Sequence, residues 1–219
     1  MLEDKLKILK QKIIEFSLLI EKMIDKSIKG IINKNGIDLK EVIEKLEPIA
    51  NKFEIEIDEL CAEIIAQYEP KAKNLRIVLM ILKINNDLER IGDHAVNISE
   101  SGLFLIEKPD VKPLIDIPRM ADETIKMVKD SINSFIEENE KLARDVCKRD
   151  DIVDNLKDQI TRELITYMIA DYTTIERSLH LIRIAQNLER IADLSTNISE
   201  DVIFMTEGKI IKHHIEENK

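Results

Sequence analysis

The chain has 219 residues and carries 33 basic and 43 acidic side chains, a formal net charge of −10 at pH 7. Only five glycines and five prolines occur, so the frequent turns of an all-β sandwich are missing and long helices remain. The acidic balance and the absence of tryptophan exclude the basic, stacking surface of a nucleic-acid binder, and an apolar share of 44% excludes disorder.

Three further exclusions are local. The longest apolar run, Ile77 to Leu82, falls far short of the ~20 residues a membrane helix needs. The opening MLEDKLKILK lacks the apolar core of a signal peptide. Cys61 and Cys147 have no Cys-x-x-Cys partner. They read as small buried hydrophobes in a reducing compartment, a cytoplasmic setting, with nucleophilic chemistry as the competing reading.

Taken along the chain, the first predicted helix covers about 3–34. Asn35–Gly36 ends it, with Gly36 suited to a helix C-terminus. The second covers about 38–66, and Pro48 inside it should kink it or split off a short helix. The third covers about 74–107. In it Ile77, Ile81, Ile84, Leu88, Ile91, Ala95 and Ile98 recur at spacings 4, 3, 4, 3, 4, 3, the a/d stripe of a helical bundle. KPDVKPLIDIP, residues 108–118, holds three of the five prolines and reads as a connection. Helices at about 115–138, 140–170 and 174–206 follow. The tail 207–219, with His213–His214, reads as frayed.

The chain is one unit written twice. KINNDLERIGDHAVNISE (83–100) and RIAQNLERIADLSTNISE (183–200) agree at ten of eighteen positions at an offset of 100. NKFEIEIDELCAEIIA, from Asn51, lies over DNLKDQITRELITYMI, from Asp154, at an offset of 103. The last helix repeats the seam with Leu181, Ile184, Leu188, Ile191, Ser195 and Ile198. The expected fold is all-α: two tandem three-helix bundles, 1–107 and 119–206, six helices in all.

Polar residues on the third helix of each half form a ladder turned away from the seam. Glu89, Asp93, Asn97 and Glu100 form the first, and Glu189, Asp193, Asn197 and Glu200 the second. Like charges four residues apart cost a helix a few tenths of a kcal/mol, so their presence in both copies points to a use. Asp150 and Asp154 add an acidic pair on the second helix of the second half. Glu47 and Asn51 stand at the matching place in the first, a weaker pair because one ligand is an amide. All donors are oxygens, which suits hard cations such as magnesium, calcium, manganese or ferric iron. A solvated acidic face explains the same residues, and both readings stay open. Arg90 and Arg190 either hold an anion or pair with neighbours such as Asp87 and Glu89. His94 has Leu194 in the other copy, and His180 reads as packed or exposed.

The doubled block NDLERIGDHAVNISE and QNLERIADLSTNISE, together with the second- and third-helix sequence EIEIDELCAEIIAQYEPKAKNLRIVLMILKINNDLERIGD, resembles the PhoU family of phosphate-uptake regulators. The resemblance implies a cytoplasmic, non-enzymatic protein of two three-helix bundles. It implies contacts with the ATPase of a phosphate ABC transporter and with a sensor histidine kinase, and multinuclear iron or zinc on the bundle surface. Carried over by position, the metal ligands would be Glu89 and Asp93, then Asp150, Asp154, Glu189 and Asp193, with Glu47 and Asn51 the weaker pair. Pro48 lies inside that pair, so the second half is expected to be the better metal site. A homodimer fits the helical class. The alternatives are a metal-binding or metal-storage bundle and a purely structural adaptor.

Overall fold

The computed structural model describes residues 2–207. The expectations for the tail, including His213 and His214, lie outside the described residues apart from Glu207. Seven α-helices run in order: α1 Leu2–Ile32, α2 Gly36–Glu41, α3 Glu47–Tyr68, α4 Lys73–Ile106, α5 Asp116–Ile136, α6 Glu140–Ala170 and α7 Ile175–Glu207. A π-helical stretch, Val42–Leu46, joins α2 directly to α3. The second predicted helix is therefore α2, the π stretch and α3 together.

Pro48 explains the interruption. It has no backbone N–H to give to the carbonyl four residues back. The chain widens just before it, and the Glu47 N–H bonds the Val42 carbonyl, five residues back. Pro48 then sits in the first turn of α3, where a missing donor costs nothing. Pro118 does the same for α5, which begins at Asp116, inside the expected connection. Lys112 in that connection pairs with Asp116 and with Glu163 of α6.

The periodic stripes do become the core. Every seam residue of α4 and α7 named above is buried. α1 packs on α3 and α4, and α5 on α6 and α7. The halves meet through α1 against α5 and, more extensively, α4 against α7. One apolar core runs through both, from Leu9, Phe16 and Ile20 in the first to Met127, Phe135 and Leu188 in the second.

Asn35–Gly36 works differently from the expectation. The left-handed residue is Lys34, at φ 51°, while Gly36 is already the first residue of α2. The Asn35 N–H reaches back to the Gly30 carbonyl at 2.8 Å, closing the end of α1. The Asn35 side chain then accepts from the Ile37 and Asp38 N–H groups and caps α2. The second half repeats the turn. Glu138 is left-handed at φ 52°, Asn139 bonds the Ser134 carbonyl at 2.8 Å, and its side chain caps α6.

A side chain in the left-handed region is strained by about 1–2 kcal/mol, partly offset in glycine by its larger unfolded-state entropy. Lys34→Gly and Glu138→Gly should each stabilise the fold by about 0.5–1 kcal/mol. Urea unfolding midpoints of the two variants against the parent chain check this.

Candidate functional site

α3 lies along α4, α6 along α7, and α4 along α7. The sequence ladders sit on the surface so formed. Asp93, Asn97, Asp193 and Asn197 are exposed, and Glu89 and Glu189 are half-buried at the helix contacts.

Each half gathers its acids from two helices. In the first, burial raises the carboxyl of Glu47, and the charges of Asp93 and Glu100 raise it further. Burial likewise raises Glu89, with Asp93 and Glu54 adding to it. Asn51 is exposed on α3 and makes no hydrogen bond among the described residues. In the second half burial pushes Asp150 up to about 6, helped by Asp193, Asp154, Asp151 and Glu189. Asp193 is raised by burial first and then by Glu189 and Asp154. The structure thus sets Asp150, Asp154, Glu189 and Asp193 within electrostatic reach of one another, and likewise Asp93 with Glu47 and with Glu89.

Two neighbours of these acids escaped the sequence reading. Lys157 of α6 reaches across to Glu189 Oε1 of α7 at 3.1 Å and also lies 3.4 Å from Asp154 Oδ1 on its own helix. Glu54 joins the first cluster. The offset of 103 aligns the two residues with each other, so the repeat itself carried the signal.

The clusters meet in the middle. Asp93 and Asp193 line one open groove between α4 and α7, about 460 Å³ in volume, with Arg90, Arg190, His94 and Asn197. Arg90 lies 3.7 Å from Asp87, as one sequence reading had it. Arg190 has no ion pair among the described residues. His94 Nδ1 is held 2.9 Å from Asn187 Oδ1, and burial lowers its basicity. On the other side of Asn197 lies a second open pocket of about 520 Å³. There Lys83 of α4 grips both oxygens of Asp201 of α7 at 3.0 Å. Burial pushes Asp87 up to about 6, against the pull of Arg90.

The remaining candidates are structural. Burial pushes both thiols up to about 12, so Cys61 and Cys147 stay protonated at neutral pH and are poor nucleophiles. His180 stacks on Phe104 with ring centres 4.1 Å apart, joining α7 to α4.

The metal that the resemblance implies can be tested against these side chains. The donors are hard oxygens, as a hard cation requires. Their placement does not match. Among the described residues no three carboxylate, imidazole or thiolate groups converge into a ready shell. In the second cluster an ammonium already stands between the acids. As they stand the residues do not fit a bound metal.

Comparison with known proteins agrees with this architecture. The PhoU domain matches the chain twice, over residues 13–102 and 117–202. The phosphate-specific transport system accessory protein PhoU homolog of Aquifex aeolicus (strain VF5) is 40% identical over 209 residues, covering 95% of this chain and 94% of that protein. The crystal structure of PhoU from Pseudomonas aeruginosa superposes with a TM-score of 0.91 at 30% identity, covering 95% of this chain and 100% of that one. The phosphate transport system regulatory protein PhoU from Streptococcus pneumoniae shares the fold, with a TM-score of 0.87 at 23% identity over 96% of this chain and 99% of that one. By its two matched repeats and its full-length similarity, the chain belongs to the PhoU family.

Proposed function

We propose that this protein regulates phosphate uptake and phosphate-starvation signalling by protein–protein contact, without catalysing a reaction. The observation that carries the reading is the meeting of the two acidic clusters at Asp93 and Asp193 in one groove. Two acidic clusters on one surface steer and orient a basic partner surface, and Arg90 and Arg190 in the groove between them offer contacts to its acids. The partners in this reading are the ATPase of a phosphate ABC transporter and a sensor histidine kinase. Relatives named as accessory proteins of phosphate-specific transport support the first.

The reading puts the protein in the cytoplasm, as a homodimer, with no nucleic acid bound. It touches the membrane only through its partners. Among the described residues no helix is long and apolar enough to cross a membrane. Two thiols held protonated and a groove open to solvent also favour docking over a shielded catalytic pocket.

Charge is the handle for the test. Reversal at Glu89 and Glu189 to lysine should weaken binding to the transporter ATPase by about tenfold or more and flatten its salt dependence. Binding by interferometry at two salt concentrations measures both. An affinity and a salt slope equal to those of the parent chain would remove the acidic face from the contact.

The same crowding sets a pH dependence. Asp150 titrates near 6 in the folded chain against an ordinary value of 3.8. Between these values the folded state binds more protons than the unfolded one. Stability therefore falls as pH rises through the window and stays low above it. Asp150→Asn should stabilise the chain at pH 7.5, on the order of 1 kcal/mol after solvent screening, and by progressively less toward pH 4. Urea unfolding across that range is the check.

A further inference from the structure

The duplication makes each half a control for the other. Asp150, Asp154 and Lys157 on α6 stand at the places of Glu47, Asn51 and Glu54 on α3. Glu189 and Asp193 on α7 stand at the places of Glu89 and Asp93 on α4. The surroundings match as well: Ile160 and Leu164 of α6 are buried, as are the corresponding Ile57 and Cys61 of α3. Two exchanges alter the charge of the cluster: the Asp154 carboxylate against the Asn51 amide, and the Lys157 ammonium against the Glu54 carboxylate.

In the second half that ammonium is in use. Lys157 Nζ lies 3.1 Å from Glu189 Oε1, 3.4 Å from Asp154 Oδ1 and 3.9 Å from Asp158 Oδ1. Its side chain and that of Glu189 are 25% and 22% exposed, so the contact is partly shielded from water and salt. It also ties α6 to α7 across a surface where the remaining acids repel. The first half differs. Among the described residues Glu47, Glu54, Glu89 and Asp93 have no ion pair with a lysine or arginine. Glu54 adds a negative charge to Glu89 where Lys157 supplies a positive one to Glu189.

We propose that Lys157 is a tethered counter-ion: its ammonium takes, between α6 and α7, the place of an external cation, so the second half is held together without metal. On this proposal Lys157 takes from the second half the advantage its extra carboxylate was expected to give it as a metal site. A lysine four methylenes long delivers its charge to Glu189 and Asp154 at no cost in solution cation, and a divalent ion would have to displace it. The counter-ion is covalent, so this half answers neither to chelators nor to the supply of metal.

The test uses the full chain with Mn²⁺ as probe, a hard cation that carboxylates accept. Lys157→Gln should lower the thermal midpoint in EDTA. It should regain that loss on addition of Mn²⁺, and it should bind about one more Mn²⁺ per chain than the parent, counted by electron paramagnetic resonance at constant ionic strength. Lys157→Arg, which keeps the charge, should match the parent in both measurements. The double variant Lys157→Gln with Glu189→Gln should recover the midpoint in EDTA without the extra ion. It also supplies the readout if the single variant fails to fold. The proposal is overturned if Lys157→Gln matches the parent in midpoint and in bound Mn²⁺, or if the parent already loses a bound Mn²⁺ on Asp154→Asn.

Discussion

Carboxylates can be crowded on adjacent helices only where something stronger holds those helices in register. Here that is the apolar seam. Leu88 and Ile91 are fully buried on either side of Glu89, and Leu188 and Ile191 on either side of Glu189. Burying one such side chain stabilises by roughly 1.5–3 kcal/mol, whereas one like-charge pair at four residues costs a few tenths. A single seam residue outweighs several repulsive pairs. The acidic face is therefore a tolerated load on a rigid support, and the ladder keeps its spacing because the helix beneath cannot unwind.

The sequence made this support legible because its code is local. A 4, 3 stripe fixes which face of a helix is buried, and the complementary face follows by rotation alone. The outward position of Asp93 and Asp193 needed no tertiary information, and the effect of Pro48 followed from its missing donor. What stayed hidden depends on how helices are set against one another. That α4 lies along α7 decides that Lys83 meets Asp201 and that His94 meets Asn187, partners more than ninety residues apart. The reach of Lys157 to Glu189 depends on the rotation of α6 against α7. The turn at Lys34 was misread for a different reason. Glycine is the usual left-handed residue, but here Asn35 caps the next helix, so the left-handed position falls two places before Gly36 and a lysine carries the strain.

The two halves differ in what they have kept. The turn closing the first helix is retained almost to the degree, with Asn35 at φ −97°, ψ 92° and Asn139 at φ −98°, ψ 92°. Backbone geometry of this kind admits few substitutes, because the cap must accept from a helix N–H while its own backbone stays extended. The acidic surface admits many. Glu54 in the first half corresponds to Lys157 in the second, and His94 to Leu194, on the same helical scaffold. Sites that hold the structure are fixed by sterics, and sites that set surface potential are free to diverge.

That freedom shows most at the ends of the α4–α7 contact. A strict two-fold would give both ends the same closure. One end instead has the ion pair of Lys83 with Asp201, and the other has the stack of Phe104 on His180. The residues corresponding to Lys83 and Asp201 are Arg183 and Ser101, which form no ion pair. A partner approaching a symmetric acidic face could dock in two orientations of equal energy. Different closures at the two ends, with a lysine inside one acidic cluster only, make the orientations unequal. Discrimination needs only such a difference between competing poses, and the duplicated chain generates it by changing side chains while the scaffold stays the same.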